Sequence, residues 1–150
     1  MASKRELIAT NMVDSINAIN TIKMGKVSRE PAFRNENEFY SLARTNFPHI
    51  IVTSGNERRE DITMGSSSLR GATMTIDLIC FIKGSDKSAD ETLNSLVEAI
   101  EEKLDVDRTR GGNAKNTEVR EVVMGAPIEH PYGSCTISVE VDYTFTRGAT

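Results

Sequence analysis

The stretch SCTISVEVDYTFTR, residues 134–147, alternates apolar and polar side chains almost without fault. Ile137, Val139, Val141, Tyr143 and Phe145 fall in one row, and Ser138, Glu140, Asp142 and Thr144 in the other. Successive strand side chains point to opposite faces, so only one register buries the apolar row; a slip by one residue would expose all of it. The chain is thereby committed to a sheet with a core face. A second long run, LRGATMTIDLICFIKG from Leu69, repeats the pattern with Met74, Ile76, Leu78, Cys80 and Ile82 in one row. Its other row, Thr75, Asp77, Ile79, Phe81 and Lys83, is partly apolar, so part of the second face is expected to be covered.

Three shorter segments complete the strand set. His49 to Ser54 contains the apolar run Ile50, Ile51 and Val52. Ile22 to about Glu30 is β-branched but weakened by Gly25 and ended by Pro31, and Glu118 to Met124 is stopped by Gly125 and Pro127. Two segments carry the helical period instead. Ser3 with Glu6 forms a reciprocal capping signature ahead of Ile8, Met12, Ile16 and Ile19. Ser88 with Glu91 precedes Leu93, Leu96, Val97, Ile100 and Leu104 in the same way. A short helix is further expected around Glu38 to Arg44, before Pro48. The sum is a single α+β domain over residues 1–150: a mixed, mostly antiparallel sheet of about five strands packed by two main helices.

At 150 residues the chain is long enough for one real core. Its net charge of −4 argues against gripping a nucleic-acid backbone over a broad face, which needs clustered cations. Cys80 and Cys135 lie at strand positions, with no further pair to form a disulfide framework, so a reducing compartment is expected. No signal segment and no apolar run of about 18 residues points to a membrane, and assembly in the cytoplasm is expected.

No motif names a reaction. FIKGSDKSADE sets a Gly, Lys87 and Ser88 between strand and helix, but Asp86 stands where a phosphate-binding loop needs its second glycine, so a capped turn is expected. Gly111-Gly112-Asn113 leads into no periodic helix, and residues 105–117 are expected to be a flexible loop. His49, His130, Cys80 and Cys135 lack the paired spacings of a zinc site. Glu98, Glu101, Glu102 and Asp105 lie off the apolar stripe of their helix and read as its solvated face. The expectation is a protein that is not an enzyme and holds no metal or cofactor.

The segment 55–70 stands out. Glu57, Arg58, Arg59, Glu60 and Asp61 mix both signs at high density, with Ile62, Met64 and a serine run behind them. The plainest account is a solvated hairpin tip. The functional one is a projecting arm, ordered only against a neighbouring subunit, because its apolar content is too small to offset the cost of ordering its backbone. Its candidate counterparts on that neighbour are Glu98, Glu101 and Glu102 for Arg58 and Arg59, and Arg108, Arg110 and Lys115 for Glu57, Glu60 and Asp61.

A capped N-terminal helix, a strand, FP leading into HIIVTSG, an arm, a long strand ending CFIKG, a helix carrying LNSLVEAIEEKL, a Gly-Gly loop and a closing strand ending VDYTFTR follow in order. That layout resembles the tail terminator proteins of long-tailed bacteriophages and covers nearly the whole chain. The resemblance implies a homo-hexameric ring at the head-proximal end of the tail, in the virion. The ring would cap the tail tube protein, stop its polymerisation and offer its other face to the head–tail connector or neck protein. Genomic DNA would pass through the lumen without specific binding. Another ring-forming neck protein, such as a head-completion or stopper protein, and a cytoplasmic enzyme or ligand-binding domain are the alternatives; the last of these would need a concave pocket with convergent polar groups.

Overall fold

The computed structural model describes residues 3–19, 25–30, 47–62, 69–83, 89–125 and 132–146. Among them are two helices, α1 (Lys4–Asn17) and α2 (Ala89–Val106), and five strands, β1 (Lys26–Ser28), β2 (His49–Asp61), β3 (Leu69–Lys83), β4 (Asn116–Met124) and β5 (Tyr132–Thr146). The strands form one sheet in the order β1-β2-β3-β5-β4. β1 runs parallel to β2, and the other three pairings are antiparallel. The α+β architecture with a mixed, mostly antiparallel sheet is therefore as the periodicities require.

The two long alternating runs are the paired centre of the sheet. Met74 lies opposite Val141, Ile76 opposite Val139, Leu78 opposite Ile137 and Cys80 opposite Cys135, so both apolar rows share one face. All eight side chains are essentially inaccessible to solvent. α1 contributes Ile8, Met12 and Ile16 to the same core, and α2 contributes Leu93, Leu96, Ile100 and Leu104. Both helices pack on this face, α1 against β1 and β2, and α2 against β3, β4 and β5. On the other face Ile79 and Phe81 are half-buried, while Ile51 and His49 are buried, in keeping with partial cover.

Local signals hold with one change. Ser3 Oγ accepts from the amide of Glu6 at 3.2 Å, as a helix N-cap should. The Glu6 carboxylate, however, takes the Arg29 guanidinium, which also donates to the Val52 carbonyl oxygen at 3.2 Å. Arg29 thus ties the start of α1 to β2 just beyond the end of β1. The expected helix at Glu38 to Arg44 and the cap at Ser88 lie outside the described residues.

Residues 105–117 comprise the end of α2, a hydrogen-bonded turn and the start of β4. Asp107 accepts from the amides of Thr109 (3.1 Å) and Gly111 (2.8 Å), Thr109 O accepts from the Ala114 amide at 2.8 Å, and Thr117 Oγ1 donates to Arg108 O at 2.9 Å. Arg110, Gly111 and Gly112 all carry positive φ (49°, 70° and 86°), and glycine adopts that region without the steric cost other residues meet. Of the arm expected over 55–70, residues 63–68 lie outside the described residues. Glu57 to Asp61 pair with Met74 to Arg70 as a direct extension of the β2–β3 hairpin, and β5 continues beside β3 as far as Thr146. Strand pairing there satisfies the backbone groups of the arm's described ends.

The core assignment has a direct test. Leu96→Ala, at a fully buried position of α2, is expected to destabilise the chain by about 2–5 kcal/mol in urea unfolding. Val106→Ser, at the 78% exposed end of the same helix, is expected to change stability by less than about 0.5 kcal/mol. Equal effects would overturn the assignment.

Candidate functional site

The charged end of the β2–β3 hairpin is organised by a one-residue bulge. Up to Ser54, which pairs with Ile76, the even residues of β2 share the helix-covered face; after the bulge Glu57 pairs with Met74, and the odd residues take that face. Gly55 sits in the bulge, where a Cβ would lie 3.0 Å from the carbonyl oxygen of Thr75. The bulge therefore turns Glu57, Arg59 and Asp61 toward the helix side and leaves Arg58 and Glu60 on the open side.

On the helix side the charges are consumed within the chain. Only 6% of the Glu57 side chain is exposed; it accepts a hydrogen bond from the Tyr143 hydroxyl at 2.5 Å and forms ion pairs with Arg59 and, at 3.5 Å, with Arg5 Nε. The Arg59 guanidinium lies 4.7 Å from the centre of the Phe145 ring, a stacking distance favourable for a cation. Asp61 pairs with Arg70 at 2.9 Å. Burial pushes the Tyr143 hydroxyl up to about 12, and the Glu57 carboxylate beside it adds to the shift by favouring the proton.

The open side is different. Arg58 and Glu60 are exposed and have no ionic partner among the described residues. They border an open trough of about 750 Å³ whose other walls include Thr73, Lys115, Asn116 and Asp142. Arg58, Thr73, Asp142 and Asn116 lie in one row across four strands, with Thr73 Oγ1 donating to Asp142 Oδ1 at 2.8 Å. Gly71, on the next row, leaves room for Ile62 to fold over the sheet, since a Cβ there would lie 3.3 Å from Ile62 Cδ1. Lys115 closes the far end, its amide donating to Asp142 O at 2.6 Å and its side chain exposed.

The eight residues singled out from the sequence thus separate into three groups. Arg58, Glu60 and Lys115 come together on one face of one chain. Glu57, Arg59 and Asp61 are bound up in contacts within it. In the third group Arg108 donates to Asn116 Oδ1 (2.7 Å) and pairs with Glu118 (3.2 Å), and Arg110 is wholly buried. Arg110, a candidate counterpart for a neighbour's Glu57, Glu60 and Asp61, is thus turned into the chain's own interior. Its guanidinium donates to Leu104 O at 2.8 Å, to Asp107 O and to Ser15 Oγ at 3.3 Å, which makes it an internal cap for α2. Tyr143 and Arg5 were missed; the alternation of residues 134–147 marked Tyr143 as buried, and only the register reveals that Glu57 meets its hydroxyl.

His49 is buried with Nδ1 3.1 Å from Lys26 O, and burial holds its pKa below the ordinary imidazole value, so the neutral ring donates there. His130 lies outside the described residues. Among the described residues no group of three His, Cys, Asp or Glu side chains converges to hold a metal ion. No family model matches the chain, and no curated protein matches it.

The buried Tyr143–Glu57 contact generates a pH prediction. A tyrosine pKa raised on folding means that the stabilising contribution is complete below about pH 10, the unfolded value, and is lost as pH rises toward about 12. Urea unfolding across that window is expected to show the loss in the wild type and a flatter profile in Tyr143→Phe. Identical profiles would remove the contact from the account.

Proposed function

We propose that this chain is a structural tail terminator of a long-tailed bacteriophage, six copies of which close into a ring on the finished tail tube. The observation that carries the reading is the order of elements: capped helix, strand, hairpin of two long strands, helix, glycine turn and closing strand pair, the layout from which the resemblance was drawn. Three features support it. The sheet has two open edges among the described residues, the far part of β2 and the outer side of β4, so a head-to-tail contact is geometrically available. Charged side chains along the β2 edge oppose indiscriminate strand pairing while allowing a specific one. The free charges Arg58, Glu60 and Lys115 lie together, where a neighbour's complementary groups would fix the register.

In this reading the ring meets the tube protein on one face and the neck protein on the other, and the overall negative charge lets DNA pass without being held. No reaction and no cofactor is assigned to it. Among the described residues no helix is long and apolar enough to cross a membrane. A second reading, a domain that binds a small polar ligand, is favoured by one observation, the trough with its convergent polar groups.

Arg58→Glu with Lys115→Glu separates the two. Both side chains are exposed, so the circular dichroism of the double variant is expected to match wild type. Each exposed pair contributes only about 0–1 kcal/mol, but six interfaces close together, and ring mass by light scattering in the presence of tail tubes is expected to fall to that of the single chain. Phage carrying the change should make tails of uncontrolled length. Normal rings and normal tails would contradict the assignment of this face.

A further inference from the structure

Cys80 and Cys135 are direct cross-strand partners at the centre of the sheet, on β3 and β5. Both are free thiols with essentially no exposed surface. Opposed residues of an antiparallel pair have Cα atoms about 4.5 or 5.5 Å apart, and both separations fall in the range a disulfide spans. The apolar rows of the two strands fix this register and hold the two thiols opposite each other. Cys80 Sγ donates to Leu78 O at 3.6 Å, and the neighbouring Cys80 holds the Cys135 thiol below its ordinary pKa. On its far side Cys135 is opposite Met124, near the end of the edge strand β4, where Val123 and Met124 are 50% and 41% exposed. Local opening of that end would give solvent a path to Cys135.

We propose that Cys80 and Cys135 are an oxidisable pair that closes into an intrachain disulfide between β3 and β5 when the protein meets a peroxide. The Cys135 thiolate attacks one peroxide oxygen and displaces hydroxide, which takes up the proton Cys135 lost and becomes water. The Cys80 sulfur then attacks the resulting sulfenic sulfur, the S–S bond forms, and the sulfenic oxygen leaves as a second water with the Cys80 proton. Two thiols are oxidised and one peroxide is reduced. The linkage closes a long loop across the two strands that carry most of the core, and so holds the sheet together against unfolding. The chemistry stands without the ring assignment. Only its use rests on that reading, as a particle assembled under reducing conditions and later released outside the cell would acquire the bond once.

The test is hydrogen peroxide treatment of the purified full-length chain, followed by alkylation and mass spectrometry. The expected result is a chain lighter by two hydrogens, no alkylated thiol, and one cross-linked peptide joining Cys80 to Cys135. The thermal midpoint should rise by about 5–15 °C and return on reduction. Cys80→Ala and Cys135→Ala should each abolish the two-hydrogen loss; should either fail to fold, the wild-type measurement decides alone. Two thiols that survive oxidation, chain-to-chain cross-links, or sulfinic and sulfonic products without the intrachain bond would each overturn the proposal. None of these readouts depends on ring formation, so its failure is distinct from failure of the terminator reading.

Discussion

A single guanidinium with no exposed surface holds the helical layer in place. Arg110 sits beyond the C-terminus of α2, where the last carbonyls of a helix have no partner within it and carry the negative end of the helix dipole. A buried cation is costly unless its donors are satisfied, and desolvation here holds the Arg110 pKa below its ordinary value. The Leu104 and Asp107 carbonyls and Ser15 of α1 offset part of that cost, with Nε left unpaired, and bring both helices to one point. The backbone meets that requirement by turning through three successive positive φ values, braced by Asp107. From this turn the chain enters β4 with Lys115 fixed against β5. Core, turn and the far wall of the trough are thus coupled through one side chain.

The second organising feature is the bulge at Gly55. By inserting one residue it divides a dense run of charges into two sets with different environments. Glu57 is buried against Tyr143 and pairs with Arg59, whose guanidinium lies over Phe145 at the edge of the solvent. Arg58 and Glu60 are left on the wet face with Lys115. The described part of the hairpin is thereby tied into the chain on one side and open on the other, and a preordered surface loses less entropy on association.

Much of this was legible in the sequence, and the exceptions have physical causes. The strict alternation of Met74–Ile82 and Ile137–Phe145 and the helical stripes of Ile8–Ile19 and Leu93–Leu104 can be satisfied by few arrangements, and they identify the core residue by residue. Composition alone did not single out Glu57, because five charged residues in a row look alike until a bulge and a neighbouring strand assign their faces; Arg58 to Asp61 are exposed, and only the Glu57 side chain is buried. Arg110 was misplaced for a related reason. An arginine followed by two glycines reads as surface, and its burial depends on carbonyls supplied by a helix six residues earlier and a hydroxyl 95 residues away. The meeting of Cys80 with Cys135 was implicit in the two alternating runs but required their register.

Closure on a tail tube is the central functional claim, and electron micrographs of growing tail tubes mixed with the purified chain address it most directly. The account predicts a six-subunit ring, about six times the 16.5 kDa chain mass, at one end of each tube, with elongation stopped there. Tubes that keep growing with bare ends in a molar excess of folded chain would contradict it.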